Sequence, residues 1–286
     1  LDDKYSLESS IMAGSNALDN TQRRRITDAL RRFQEFLRTE QGKEWLEDRK
    51  KRIEFFEKTL AKDHIDELTE PEFSQIISIL WASQLFGNKS YVVERILRTI
   101  DFATLRKELK ALLWGEEPIQ ERYENFRRNV KGLGPASITE ILAFVHPEEF
   151  GLWNEKTREA FKILGIQKVA LKYQISGEEY VVCNDVLKAI RDEMEVAGLE
   201  KPNLIDVDYF LYYVYEQREM KAIEVQPIED YDFDHDEIVE KLVAIGSGLG
   251  FEADSNVQVA KGARVDALWT ARIANLGVVN YVFEVQ

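Results

Sequence analysis

Two carboxylates sit in apolar company near the C-terminal end of the sequence. Asp266 lies in Arg264-Val265-Asp266-Ala267-Leu268-Trp269, and Glu284 interrupts Tyr281-Val282-Phe283-Glu284-Val285. A charge in so apolar a run needs a reason, because burying a lone carboxylate is costly. Carboxylates on neighbouring strands can share a divalent cation, usually Mg²⁺, through their oxygens. Glu240 or Glu237, on the helical pattern that precedes them, can add a third oxygen. Glu240, Asp266 and Glu284 therefore form the candidate metal set, with Asp266 and Glu284 the candidate catalytic pair. Such an ion activates water and stabilises a pentacoordinate phosphate. The competing reading makes Asp266 and Glu284 edge-facing residues of a small structural sheet.

A second constellation is Asn129-Val130-Lys131-Gly132-Leu133-Gly134-Pro135-Ala136-Ser137-Ile138. An amphipathic helix runs into Gly-Leu-Gly, and another helix starts at once. The glycines allow a tight turn that a Cβ would obstruct. Pro135 suits the first turn of the second helix, where its missing N–H costs nothing. The leading N–H groups of that helix form a ready site for a phosphate oxygen. Arg127, Arg128 and Lys131 lead directly into the turn and add positive charge. A Gly-x-Gly turn also occurs as a plain connection between helices, and that reading stays open.

The turn resembles the helix-hairpin-helix element of DNA-binding proteins, which holds one DNA strand by its backbone. From about Leu68 to Ile166 the chain resembles the endonuclease III-type DNA glycosylase superfamily. The resemblance implies DNA contacts from Arg127, Arg128, Lys131, Gly132, Leu133, Gly134, Ala136 and Ser137. In that family a nucleophilic Lys can stand two residues past the second glycine; here that position is Ala136. The family also places an Asp at a later helix start. Counting 18 residues on from Ala136 reaches Asn154 instead. A neutral amide cannot act as a base or offset a cationic sugar. The four cysteines of the iron–sulfur type are missing too, so no iron–sulfur cluster is expected. The domain reads as a glycosylase-like scaffold without glycosylase chemistry, with Asn154 an ordinary helix N-cap.

The C-terminal stretch, about residues 231–286, resembles the first half of the restriction-endonuclease-like nuclease fold: an acidic helix, then Asp, then Glu-x-Lys. Gln286 occupies the Lys position and is the third candidate catalytic residue. Gln can orient a water but supplies no positive charge, so cleavage is expected to depend on what else surrounds the pair. A strand that ends at Gln286 leaves an open sheet edge, and the native protein is expected to continue beyond it.

The rest of the chain must position these groups. Its 286 residues suffice for two domains, and 44% hydrophobic content is that of an ordinary globular protein. No apolar run is long enough to span a bilayer, so no membrane partner is expected. The single cysteine, Cys183, excludes an internal disulfide framework and reads as a small buried apolar side chain. A cytoplasmic location follows by default. The net charge of −14 disfavours general polyanion binding, but screening beyond about 10 Å leaves local phosphate contacts intact.

Apolar residues recur at helical spacing in Ile26, Leu30, Phe33 and Leu37. Thr69 is a helix N-cap with Pro71 in the first turn, and Asn154 caps a helix that Gly165 stops. Helices are expected over 119–129, 184–197, 205–218 and 236–246, with strand or turn character over 172–182. Three strands follow, the last of them a buried one over 278–286. The expected fold is mainly α: charged N-terminal helices over 1–62, a helix-hairpin-helix domain over 63–222, a linker over 223–230, and a partial restriction-endonuclease-like α/β domain over 231–286. The leading expectation is a DNA-binding protein with a Mg²⁺-dependent nuclease domain of restriction or repair type. The alternatives are a non-catalytic DNA-binding module and an acidic protein-interaction scaffold, with a homodimer or a protein partner open.

Overall fold

The computed structural model describes residues 17–83, 89–222, 235–260, 263–273 and 277–285. Gln286, the linker 223–230 and the acidic stretch up to Asp234 lie outside them. The chain is mainly helical with a small three-stranded antiparallel sheet near its C-terminal end. It forms two compact units, and neither is a single stretch of chain. Unit 1 takes its described residues from Leu1–Leu68 and Ala103–Pro227; unit 2 takes them from Thr69–Phe102 and Ile228–Gln286. The segment 69–102, read from sequence as part of the helical domain, thus clusters with the sheet. Among the described residues, no helix is long and apolar enough to cross a membrane.

Unit 1 holds α1 (Asn20–Leu37), α2 (Glu40–Thr59), α5 (Phe102–Trp114, joining at Ala103), α6 (Ile119–Asn129), α7 (Pro135–Val145), α8 (Glu155–Leu164), α9 (Gly177–Val196) and α10 (Leu204–Ala222). Helix α7 is mostly apolar, and every residue from Ile138 to Val145 is buried, Thr139 and Glu140 included. A helix buried all round belongs inside a bundle. The large side chains of Phe33, Phe56, Tyr123, Trp153, Phe161 and Tyr180 in this unit are also fully buried. Phe56 stacks on Phe144 of α7 at 4.8 Å.

One expectation needs correction here. The stretch read as strand or turn over 172–182 becomes helical from Gly177. Ser176 and Glu179 form a reciprocal capping box that starts α9 seven residues before the expected Asn184. Two capped donors outweigh the β preference of Val181-Val182. Gly177 also lets α9 press on α6, since a Cβ there would meet the Gln120 carbonyl oxygen at 2.3 Å.

Unit 2 holds α3 (Glu70–Ile79), α4 (Lys89–Leu97), α11 (His235–Gly248), β1 (Glu252–Ala260), β2 (Ala263–Ile273) and β3 (Gly277–Phe283). The sheet order is β1-β2-β3 with both pairs antiparallel. Helix α11 packs on one face through Val239 and Val243 against Ala253 and Ala267, with Trp269, Phe283 and Val285 at the margin. From α4, the Tyr91 hydroxyl reaches the Ala253 carbonyl oxygen at 3.3 Å. The expectation of a buried third strand also fails. β3 is an edge strand, with Val278 and Val282 each 53% exposed. Its apolar β-branched run mimics a two-sided strand, but α11 covers only the face that carries Ala253, Ala267 and Phe283.

Candidate functional site

In unit 2 the ladder between β2 and β3 ends at the pair Ala267↔Phe283. One step further along the same register, Asp266 stands opposite Glu284, and antiparallel partners share a sheet face. In place of the next ladder bond, the Val285 N–H donates to Asp266 Oδ2 at 2.8 Å. Glu284 is exposed and, by that register, neighbours Asp266 on the same sheet face. The two candidate catalytic carboxylates therefore meet. Hydrogen bonding from the Val285 N–H holds the Asp266 carboxyl below the ordinary carboxylate range against some desolvation, and His235 and Glu284 act in the same direction.

His235, the first residue of α11, has Nε2 3.3 Å from Asp266 Oδ2 and Nδ1 3.2 Å from Asp236 Oδ1. Sequence reasoning missed it, because the signal is spatial. The imidazole flanks carboxylates on both sides, so its hydrogen bonds to Asp236 and then Asp266 raise its pKa above the ordinary 6.5. Its contribution to stability is full below the unfolded value and is lost as pH rises through the raised folded value. Followed by NMR, the His235 ring is expected to titrate above 6.5, with Asp266→Asn drawing the midpoint down. An unmoved midpoint would dismiss the contact.

Glu240 does not join the pair. It is half-buried on α11; desolvation raises its pKa, while Arg95 of α4 lowers it. Glu237 pairs with Lys241 at 2.9 Å. Among the described residues, no three His, Cys, Asp or Glu side chains gather as a metal-holding group. Mg²⁺ nevertheless needs only one or two carboxylates, with waters and substrate phosphate completing its shell. Two adjacent carboxylates, one of them kept anionic, fit that demand: they repel unless a proton or a cation lies between them.

The hairpin lies in unit 1. Helix α6 closes with the Val130 N–H on the Phe126 carbonyl oxygen at 2.8 Å. Only one of the two glycines uses the left-handed region: Gly132 has φ 94°, whereas Gly134 is an extended N-cap with φ −81°. Pro135 opens α7 as expected, and no side chain caps that helix. Lys131 and Arg128 are exposed, Ala136 and Ser137 half-buried. Leu133 is buried, so its side chain serves the core. Arg127 is spent internally, donating to the Ile175 carbonyl oxygen at 3.0 Å and to Gln174 Oε1 at 2.6 Å. Arg128 donates to Asn125 Oδ1 at 2.5 Å, and Lys131 Nζ to the Arg127 carbonyl oxygen at 3.3 Å. The first turn of α7 thus follows the exposed Arg128 and Lys131 closely in sequence.

Thr139 of α7 accepts the Trp153 N–H at 2.9 Å and so ties the hairpin helix to the start of α8. There Asn154 is the expected N-cap, accepting from the Thr157 N–H at 2.9 Å. Its amide also donates to Asp208 Oδ1 of α10 at 3.4 Å. Asp208 is buried, and desolvation pushes its carboxyl up to about 7, the Asn154 bond acting the other way. This carboxyl also escaped the sequence reading. Its signal was present: Asp208 occupies the apolar stripe of α10 between Leu204 and Leu211, both buried.

In comparisons with protein families, curated proteins and solved structures, the chain matches none.

Proposed function

We propose that this protein binds DNA through the α6–α7 hairpin and that unit 2 carries a divalent-cation site of the nuclease type. The observation that carries the second part is the meeting of Asp266 and Glu284 on adjacent strands, with Asp266 anchored as an anion by the Val285 N–H. Asp266 and Glu284 would hold Mg²⁺. Bound there, the ion supplies Lewis acidity toward a phosphate oxygen and a water of lowered pKa. The chain's own part is to fix the two carboxylates on a paired sheet and to keep Asp266 charged. The hairpin's part is backbone recognition, with the uncapped start of α7 meeting a phosphate oxygen.

A second reading, a DNA-binding module without chemistry, is favoured by one observation. Among the described residues no third ligand, Glu240 included, gathers with the pair into a metal-holding group. Both readings share the DNA contact. The deciding experiment is fluorescence anisotropy of labelled duplex DNA at low and moderate salt, with and without Mg²⁺, followed by a gel of the same samples. Salt-sensitive binding with Mg²⁺-dependent cutting supports the nuclease reading. Salt-sensitive binding with intact DNA supports the module. No binding at low salt overturns both and leaves an acidic surface that suits a protein partner.

The hairpin is tested by Gly132→Val. Valine is disfavoured at φ 94° by about 1–2 kcal/mol, and the turn must shift the start of α7 to relieve it. DNA affinity is expected to fall about tenfold, whatever the DNA sequence. Full affinity in the folded variant would remove the hairpin from the interface.

A further inference from the structure

His235 lies outside the proposed cation pair yet touches one member of it. We infer that His235 is the positioning residue of the pair, its Nε2–H orienting Asp266 beside Glu284 for a divalent cation. The inference rests on the nuclease-type reading of Asp266 and Glu284. Three observations carry it. The same Asp266 oxygen, Oδ2, has two neighbours at hydrogen-bonding distance, the Val285 nitrogen at 2.8 Å and His235 Nε2 at 3.3 Å. Two donors on one oxygen fix the plane of the carboxylate, which a single backbone bond leaves free to swing. The ring is itself steadied from its other side, with Nδ1 3.2 Å from Asp236 Oδ1.

The two donors also come from different elements. Val285 follows β3, and His235 opens α11. Asp266 on β2 is therefore gripped from the strand on one side and from the helix that covers the sheet. Carboxylates that bind metals are commonly oriented by such hydrogen bonds, and loss of one typically costs about 10- to 100-fold in affinity. His235 is too engaged with Asp266 Oδ2 to be the ligand itself; it acts through Asp266.

The test uses the full chain and Mn²⁺ as the probe, with free ion followed by its EPR signal. Wild type is expected to bind, Asp266→Asn to lose binding, and His235→Ala to weaken it by about tenfold or more. His235→Gln keeps an N–H donor on a side chain of similar reach and is expected to recover most of the affinity. A merely structural role for the imidazole would not be rescued by that change. His235 is exposed at a helix end, so these variants fold, and matching circular dichroism melts verify it. If His235→Ala binds Mn²⁺ as wild type does while Asp266→Asn does not, the inference fails and the pair stands. If wild type does not bind, or Asp266→Asn binds unchanged, the reading of the pair fails and the inference with it.

Discussion

Asp208→Asn is expected to stabilise unit 1 much more at pH 8 than at pH 5. Burial raises the Asp208 carboxyl from 3.8 to about 7. Between those values the folded chain holds a proton that the unfolded chain has released. Stability therefore falls as pH rises through this window, and above it the folded state carries a buried charge with only the 3.4 Å bond from Asn154 to offset it. Over the whole window from 3.8 to about 7 this corresponds to roughly 4 kcal/mol, at about 1.4 kcal/mol per pH unit, and the step from pH 5 to pH 8 reads more than half of it. Asparagine keeps an acceptor for the Asn154 amide and never ionises. His146 works in the opposite direction. Burial lowers its pKa below 6.5, so its contribution rises with pH up to that value. The difference between variant and parent cancels His146 and isolates Asp208. Denaturant curves at pH 5 and pH 8 read the effect, and parallel behaviour at both would show that Asp208 is solvated after all.

Asp208 also marks where the sequence was legible and where it was not. Local grammar carried well. Thr69 and Asn154 are N-caps, Gly165 ends α8 in the left-handed region, and α6 spans the expected 119–129. These signals lie within one turn of the residues that read them out. The capping box at Ser176 is of the same kind, but the β-branched residues inside the helix masked it. What stayed hidden depends on distant partners. Asn154 and Asp208 are 54 residues apart, and nothing local pairs them. His235 reaches Asp266 only because α11 lies across the sheet. The segment 69–102 carries no sequence mark of clustering with residues beyond 228. The placing of Asp266 and Glu284 on neighbouring strands was legible because a carboxylate in an apolar strand is locally anomalous. Glu240 was added from its helical neighbourhood alone, and among the described residues no third ligand gathers with the pair.

The docking of α11 on the sheet yields the second large effect. Gly246→Ala is expected to destabilise unit 2 by about 3 kcal/mol, as overpacking of a tight contact does. A Cβ at Gly246 would lie 2.5 Å from the Trp269 indole nitrogen and 2.6 Å from two of its carbons. The indole cannot retreat cheaply. Its Nε1–H donates to the Leu242 carbonyl oxygen at 3.0 Å, and its ring lies 4.4 Å from Phe283. Moving it breaks that bond and loosens an aromatic side chain that clamps α11 to β2. The gain from replacing glycine in a helix, about 1 kcal/mol, is smaller than this loss. Gly250→Ala is the control: it has φ 89° and nothing within 4 Å of an added Cβ, so it costs only backbone strain of about 1–2 kcal/mol. Because His235 rides on α11 and Asp266 on β2, loosening the helix should also weaken the hold on Asp266. Hydrogen exchange at the Ala267 and Val285 amides reads both consequences: protection drops at Ala267 as the sheet loses its cover, and at Val285 as the bond to Asp266 opens more often. Unchanged protection at Ala267 in Gly246→Ala would mean that Trp269 does not seat the helix. Loss at Ala267 with full protection at Val285 would mean that the carboxylate site holds together without α11.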